Sequence, residues 1–168
     1  IGVTMVVPRA KHSRENNFLK LIATNALKKL KVRSVNSPLL AYITSEEYTT
    51  YIEKLPRDSP QSRMYGADLF KEVYRYGEKA KFIVKNENFD VIHAHDWMTF
   101  PAAIKAKKTS KKPMIVHVHA TEYDRTGGNV NQLVYDIERE GMHAADSIIA
   151  VSQFTKDKIV YHYGVDAD

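Results

Sequence analysis

The sequence contains no cysteine, so disulfide bonds, thiolate metal ligands and a cysteine nucleophile are all excluded. It also contains no apolar run of transmembrane length and no recognisable signal peptide. We therefore expect no association with a membrane. The lack of cysteine is compatible with a reducing compartment, and we expect a cytoplasmic protein.

Several common functional motifs are absent as well. There is no Gly-Lys-Ser/Thr phosphate loop and no Gly-x-Gly-x-x-Gly dinucleotide fingerprint. The Gly-x-Ser-x-Gly elbow of serine hydrolases is also missing, and no carboxylate pair has the context typical of a glycosidase. The chemistry must therefore come from other residues.

Positive charge is in modest excess, with a net charge of +5 and a pI near 9.2. Part of the excess lies in a short lysine-rich segment: Lys105, Lys107, Lys108, Lys111 and Lys112. No RNA- or DNA-binding motif accompanies this segment. We interpret it as a solvated helix end and turn, and we expect no nucleic-acid partner.

The length of 168 residues suits one domain with a real core. The sequence does not begin with Met, and Ile1–Pro8 resembles a strand already under way. Gly164–Asp168 resembles a turn that leaves a helix. We therefore expect residues 1–168 to be part of a longer protein.

The second half of the chain alternates strands and helices from Asp90 onward. This βαβαβα order predicts an α/β fold with a doubly wound, mainly parallel sheet, whose three strands we expect to be central and covered on both faces. The strands are predicted at Val91–Ala94, Pro113–Val118 and Ser147–Val151. The helices are predicted at Thr99–Lys108, from a cap at Asn129 or Asn131 to about Ala145, and at Phe154–Tyr161 after a cap at Ser152.

The first half gives weaker patterns. We predict two strands, one at Val3–Val7 that ends at Pro8 and one near Val32–Val35. We also predict a helix that begins at a capping pattern at Thr44–Glu47 and ends at about Leu55, and a long helix at Gly66–Asn86. Loops or extended segments are predicted at Arg9–Asn17, Pro38–Ile43 and Pro56–Arg63.

Polar motifs follow the first two central strands. The strand period places His93 and His95 on one face, and His117 and His119 likewise. His93 and His117 lie deeper, and we interpret them as packed, hydrogen-bonded residues. The carboxyl ends of parallel strands are where such sheets bind ligands, which makes His95, Asp96 and His119 the candidate functional residues. The only tryptophan, Trp97, either stacks on a sugar ring or covers the core.

A metal site is the alternative interpretation of this segment. Four imidazoles and a carboxylate suit Zn²⁺, and a metal-dependent hydrolase would bring at least three of these histidines within ligand reach. However, the His-x-His-x-Asp-His motif of metallo-β-lactamases fails, because Asp96 comes one position early. We therefore expect no bound metal. We also expect a glycine turn at Thr126–Asn129 and a solvated helix face formed by Asp136, Glu138, Arg139 and Glu140.

Taken together and in order, the motifs resemble a known family. They are His93–Trp97, Lys112-Pro113, His117–Glu122, Glu140–Asp146, Ala150–Ser152 and His162–Val165. This set resembles the N-terminal domain of glycogen and starch synthases and of related group-one glycosyltransferases. The likeness covers about Tyr65–Asp168 and, more loosely, Val3–Pro8 and Ser37–Tyr48.

The resemblance implies a GT-B enzyme with two Rossmann-like domains and an active site between them. It implies transfer of glucose from ADP- or UDP-glucose to an α-glucan, with retention of configuration and without a metal or other cofactor. Residues 1–168 then form part of the N-terminal, acceptor-side domain and lack the C-terminal nucleotide-sugar domain, so the isolated segment is expected to be inactive. A carbohydrate-binding module without catalysis is a further alternative.

The same resemblance assigns the site residues. The family's donor-sugar histidine falls on His119, and its acidic position falls on Asp96, which makes these two the catalytic candidates. The substrate-binding candidates are His95, Trp97, Thr121 and Glu122.

Overall fold

The computed structural model describes residues 3–9, 30–37, 39, 45–54 and 68–167, with some residues of the first half described by their backbone alone. The chain divides into two compact units, Ile1–Lys79 and Ala80–Asp168. Three predictions lie partly or wholly outside the described residues: the loop after Arg9, the segment Pro38–Ile43 and the loop Pro56–Arg63. The predicted cap at Thr44 lies outside them as well.

The first unit contains a pair of parallel strands, β1 (Val3–Arg9) and β2 (Leu30–Asn36). Both predicted strands are confirmed. The expected stop at Pro8 is wrong, since β1 continues to Arg9; the fixed φ of proline is compatible with extended backbone. Helix α1 follows at Ser45–Glu53.

Helix α2 (Leu69–Val84) begins in the first unit and confirms the predicted long helix with shorter ends. Oδ1 of Asp68 accepts hydrogen bonds from the N–H groups of Phe70 and Lys71, at 3.0 and 3.2 Å, which explains why the helix begins there. A buried hydrogen bond of 2.5 Å from Ser37 Oγ to Glu72 Oε1 ties the end of β2 to this helix.

The second unit contains three parallel strands in the order β3-β4-β5. They are β3 (Ile92–His95), β4 (Met114–Val118) and β5 (Ser147–Ala150). This parallel sheet, alternating with helices, confirms the predicted α/β class.

The core of this unit lies on one face of the sheet. Helices α3 (Phe100–Ser110) and α5 (Gln132–Ala144) pack on that face and on each other. The prediction that all three strands are central and covered on both faces is wrong for the described part of the chain. His93 on β3 is exposed, Ile149 on β5 is 39% exposed, and Val151, just beyond β5, is 50% exposed. Only β4 has a neighbour on each side in the described sheet, and an apolar sequence alone does not distinguish an edge strand from a central one. The buried core residues include Ala94, Phe100, Met114, Val116, Val118, Ile137 and Met142.

Caps and turns set the helix boundaries. Between the two predicted caps the structure selects Asn131, whose Oδ1 accepts from the N–H of Leu133 at 3.0 Å. Ser152 caps α6 (Gln153–Tyr163) as predicted, through a bond of 3.1 Å from the N–H of Thr155. Two short elements were not predicted, a 3₁₀ helix at Trp97–Thr99 and helix α4 (Glu122–Thr126). Helix α4 ends at the expected glycine turn, where Gly127 has a φ of 62°.

Candidate active site at the carboxyl ends of β3 and β4

The candidate residues meet where β3 and β4 end. His95 pairs with His117 in the parallel register, and Asp96 and His119 follow these strands. The N–H of Asp96 donates to the carbonyl of His117 at 3.0 Å. In return, the N–H of His119 donates to Oδ1 of Asp96 at 2.8 Å. The prediction that Asp96 and His119 lie together at this edge is confirmed.

The backbone of Asp96 is strained. Its φ is 57° and its ψ is 169°, close to a region that only glycine occupies readily. Such a conformation costs about 1–3 kcal/mol and persists where surrounding contacts impose it. Here the bond to His119 and the start of the 3₁₀ helix at Trp97 supply those contacts. The sharp turn at Asp96 directs the chain away from the sheet and leaves the Asp96 carboxylate at the carboxyl edge of the sheet.

The side chains of His95 and His119 are in direct contact. Nδ1 of His95 lies 3.0 Å from Nε2 of His119, and both residues are exposed. One ring nitrogen must donate and the other accept, so this hydrogen bond couples the tautomers of the two imidazoles. Thr99 Oγ1 donates to the carbonyl of His95 at 2.7 Å, which secures the strand end.

The two deeper histidines do not match their predicted role. His93 is exposed, and its ring is stacked on that of His117 with centroids 5.5 Å apart. Nδ1 of His117 is buried and has no hydrogen-bond partner among the described residues. The interpretation as a packed residue is therefore wrong for His93, and among the described residues the expected hydrogen bond is missing at Nδ1 of His117. The face of β3 and β4 opposite the helices is instead a continuous surface of four imidazoles, the histidine face, formed by His93, His95, His117 and His119.

The histidine face favours neutral rings at His95 and His117. Burial, and then the charges that neighbouring imidazoles would carry, lower the pKa of both residues. The negative charge of Asp96 opposes this effect without reversing it. Neutral imidazoles each present one donor and one acceptor, which suits contact with a hydroxyl-rich ligand or with a metal ion.

The other predicted site residues are buried next to the carboxyl edge of the sheet. Trp97, Thr121 and Glu122 are buried, with 7%, 0% and 5% of their surface exposed. Thr121 donates to Oδ2 of Asp124 through its N–H at 2.8 Å and its hydroxyl at 2.7 Å. The burial of Trp97, on a 3₁₀ helix that packs against α3 and α5, favours the core-covering alternative.

A buried ionic network holds the segment that follows β4, residues 120–125. Glu138 lies 1% exposed on α5 and accepts hydrogen bonds from the N–H of Glu122 at 3.0 Å, from Arg125 and from the hydroxyl of Tyr163. Arg125 also donates to Glu122 at 3.2 Å and to the carbonyl of Ala120 at 2.7 Å. Residues 120–125 are thereby fixed to α5 and α6.

Two carboxylates share one guanidinium in this network. Burial raises the pKa of Glu138, and the positive charge of Arg125 opposes that effect. Burial and the nearby Glu138 carboxylate also raise the pKa of Tyr163, so its hydroxyl remains a donor.

Sequence reasoning missed this network. The expectation of a solvated helix face is confirmed for Asp136, Arg139 and Glu140, which are exposed, but it is wrong for Glu138. A usable signal existed, since Glu138 lies four residues after Val134 and four before Met142, on the buried stripe of α5.

Comparison with known proteins identifies the family. The model of Glycosyltransferase Family 4 matches residues 39–168, which is more than half of the chain. The chain belongs to Glycosyltransferase Family 4. The parallel sheet is therefore part of the N-terminal half of a GT-B fold.

Individual members of the family and its relatives are similar over shorter segments. An uncharacterized glycosyltransferase of Methanocaldococcus jannaschii is 28% identical over 94 residues, which cover 54% of this chain and 24% of that protein. A glycogen synthase of Mycobacterium tuberculosis is 33% identical over 79 residues, which cover 45% of this chain and 19% of that protein. The matched part of this Glycosyltransferase Family 4 chain thus spans a quarter or less of these relatives.

Among the described residues, no helix is both long enough and apolar enough to cross a bilayer.

Proposed function

We propose that the protein of which this chain is a part transfers glucose from ADP- or UDP-glucose to the non-reducing end of an α-glucan, with retention of configuration and without a cofactor. Similarity to a glycogen synthase supports the choice of sugar and acceptor. The single observation that carries the proposal is the hydrogen bond that holds His119 against Asp96 at the carboxyl edge of the sheet.

The chemistry suits these two residues. Positive charge develops at the anomeric carbon during glycosyl transfer, and the nearby carboxylate of Asp96 stabilises such charge. His119 is exposed beside it, and its ring can exchange hydrogen bonds with sugar hydroxyls. His95, in contact with His119, orients that ring.

The buried candidates Thr121 and Glu122 stabilise the carboxyl edge of the sheet. Thr121 and Glu122 have their polar groups engaged by Asp124, Arg125 and the N–H of Asn131. In this proposal they hold the loop that follows His119 rather than contact the sugar directly. Trp97 shapes the wall on the Asp96 side.

This chain supplies one wall of the cleft. The diphosphate of the donor needs strong charge-assisted partners, and in the proposed two-domain enzyme these come from the other domain. Residues 1–168 alone are therefore expected to transfer no glucose.

The test compares the full-length protein with the 1–168 segment. Each is incubated with glycogen and radiolabelled ADP-glucose or UDP-glucose, and the product linkage is determined by NMR. We expect the full-length protein to form an α-linkage from at least one donor and the segment to form none. Glycogen binding without transfer by the full-length protein would instead support a carbohydrate-binding module. Transfer by the segment alone would refute the shared cleft.

A further inference from the structure

The histidine face brings three possible metal ligands together. One ring nitrogen each from His93, His95 and His117 lies within 4.8 Å of the other two. Three imidazoles are a common ligand set for Zn²⁺ and related ions. We propose that the histidine face binds one divalent transition-metal ion, represented by Zn²⁺, through His93, His95 and His117.

The unpartnered nitrogen of His117 supports this site. Nδ1 of His117 is shielded from solvent and has no hydrogen-bond partner among the described residues. Buried polar atoms are almost always paired, so an exception calls for an explanation such as an absent ion. An ion bound to this nitrogen in the plane of its ring would provide the missing partner.

His119 fits the role of a supporting residue. A metal-bound histidine commonly donates its other ring N–H to an acceptor, which fixes its tautomer. The contact of 3.0 Å between His95 Nδ1 and His119 Nε2 supplies such a bond when His95 is the donor. Nε2 of His95 then carries the lone pair that binds the ion.

The spacing of the three ring nitrogens is the geometric test of this site. Nitrogens around a tetrahedral Zn²⁺ lie roughly 3.3 Å apart, because each Zn–N bond is about 2.0–2.1 Å long. The present separations of up to 4.8 Å exceed this value, so the proposed binding requires the rings to rotate about their side-chain torsions. Since His93 and His95 are exposed, solvent can occupy a fourth position.

This proposal is opposite to the expectation from the sequence. That expectation relied on the failure of the fuller hydrolase motifs, whereas the convergence of three rings depends on the pairing of β3 with β4. The proposal concerns binding of the ion and does not make the protein a hydrolase.

The test is Zn²⁺ titration of metal-stripped, tag-free full-length protein by calorimetry, with Co²⁺ absorption to report the ligand geometry. We expect one equivalent of Zn²⁺ to bind at this face. His93→Ala, His95→Ala and His117→Ala should each raise the Kd by more than about 100-fold, and His119→Ala by about 10–100-fold, the range for a supporting residue.

His143→Ala is the matched control. His143 is exposed on α5 and lies outside the histidine face, with its Nε2 2.9 Å from the carbonyl of Tyr163. Its replacement should leave the Kd unchanged. Circular dichroism verifies the fold of every variant, and a variant that unfolds is replaced by the glutamine substitution at the same position. Zn²⁺ binding that no histidine-face variant weakens, or no binding at all, would overturn the proposal.

Discussion

His119 and Asp96 are joined by a hydrogen bond of 2.8 Å from the backbone N–H of one to the carboxylate of the other. The bond spans the ends of two strands, and its acceptor belongs to a residue with a φ of 57°. A strained residue that also holds a neighbouring strand end is typical of a functional site.

Replacement of Asp96 should separate strain from hydrogen bonding. Asn has the shape of Asp, so it carries the same backbone strain and keeps an oxygen acceptor, and Asp96→Asn should remain close to the wild-type stability. Asp96→Ala loses the acceptor and keeps the strain, and should lose about 1–3 kcal/mol of unfolding free energy. Asp96→Gly loses the acceptor but relieves the strain, and should fall between them. Urea denaturation measures all three, and equal stability of the Ala and Gly variants would show that the backbone is not strained.

If the proposed transfer reaction holds, His119→Ala in the full-length protein should lower kcat/KM by roughly 100-fold or more, the scale for one oriented transition-state contact. The thermal midpoint should change little, because His119 is exposed beyond the end of β4. Both quantities are measured on the same preparation, with His143→Ala as the control. A lowered midpoint with normal specific activity would identify a packing residue instead.

Gly141→Ala should destabilise the second unit. A Cβ at Gly141 would lie 2.6 Å from Cγ and 2.7 Å from Cβ of Phe100, which is 1% exposed. Overpacking of this kind costs about 1–3 kcal/mol, although Ala favours a helix over Gly. Denaturation of the variant measures the loss. Gly141→Ala should cost less in a Phe100→Ala background, which lacks Cγ and the ring, than in the wild type, and a double-mutant cycle measures the difference. A Gly141→Ala variant more stable than wild type would refute the close approach.

Asp124 should make stability depend on pH. Partial burial alone would raise the pKa of Asp124, but hydrogen bonds from Lys158 and Thr121 outweigh it and hold the pKa below its usual value. A carboxyl group with a lowered pKa contributes stability above its unfolded-state pKa, and this contribution disappears as pH falls through the folded-state pKa. Asp124→Asn should therefore destabilise the protein at pH 7 and much less at acidic pH. Asp157→Asn is the control, because Asp157 forms an exposed hydrogen bond with Gln153. A loss of stability in Asp124→Asn that does not change with pH would contradict a lowered pKa as its cause.

Tyr163→Phe should lower the unfolding free energy by about 1.5–3 kcal/mol, the range for a hydrogen bond to a charged group. Its hydroxyl donates to the buried carboxylate of Glu138, which also accepts from Arg125 and from the N–H of Glu122, and burial keeps away the water that could replace the lost donor. Tyr161→Phe is a matched control, because Tyr161 is 83% exposed and two residues away. If both variants lose the same small amount, the Tyr163 bond is not the source.

The strand and helix order of the second unit could be predicted because its apolar runs and caps are local signals. Ser152 and the run Ile115–Val118 show this, as each acts within its own element. The meeting of Asp96 with His119 was also predictable, since parallel strands end at one edge. The edge position of β5 was not, because exposure depends on which neighbours a strand has.

The ionic network and the histidine face depend on tertiary contacts. Glu138 resembles a surface residue until α5 packs beside α4 and α6, and the bond from Tyr163 joins residues 25 positions apart. The convergence of His93 with His117 depends on the register of two strands. Single-sequence patterns report which residues share a face, but they do not report such pairings between elements.

The anchoring of Glu138 by Tyr163 has a consequence for synthesis on the ribosome. Strand β4 and His119 are synthesised before Tyr163, so the hydrogen bonds that fix residues 120–125 stay incomplete until Tyr163, 44 positions after His119, has left the exit tunnel. A nascent chain halted before that point would contain every histidine of the histidine face, but residues 120–125 would not yet be fixed. Chaperones that bind nascent chains would therefore encounter this edge of the sheet before residues 120–125 have folded onto α5 and α6.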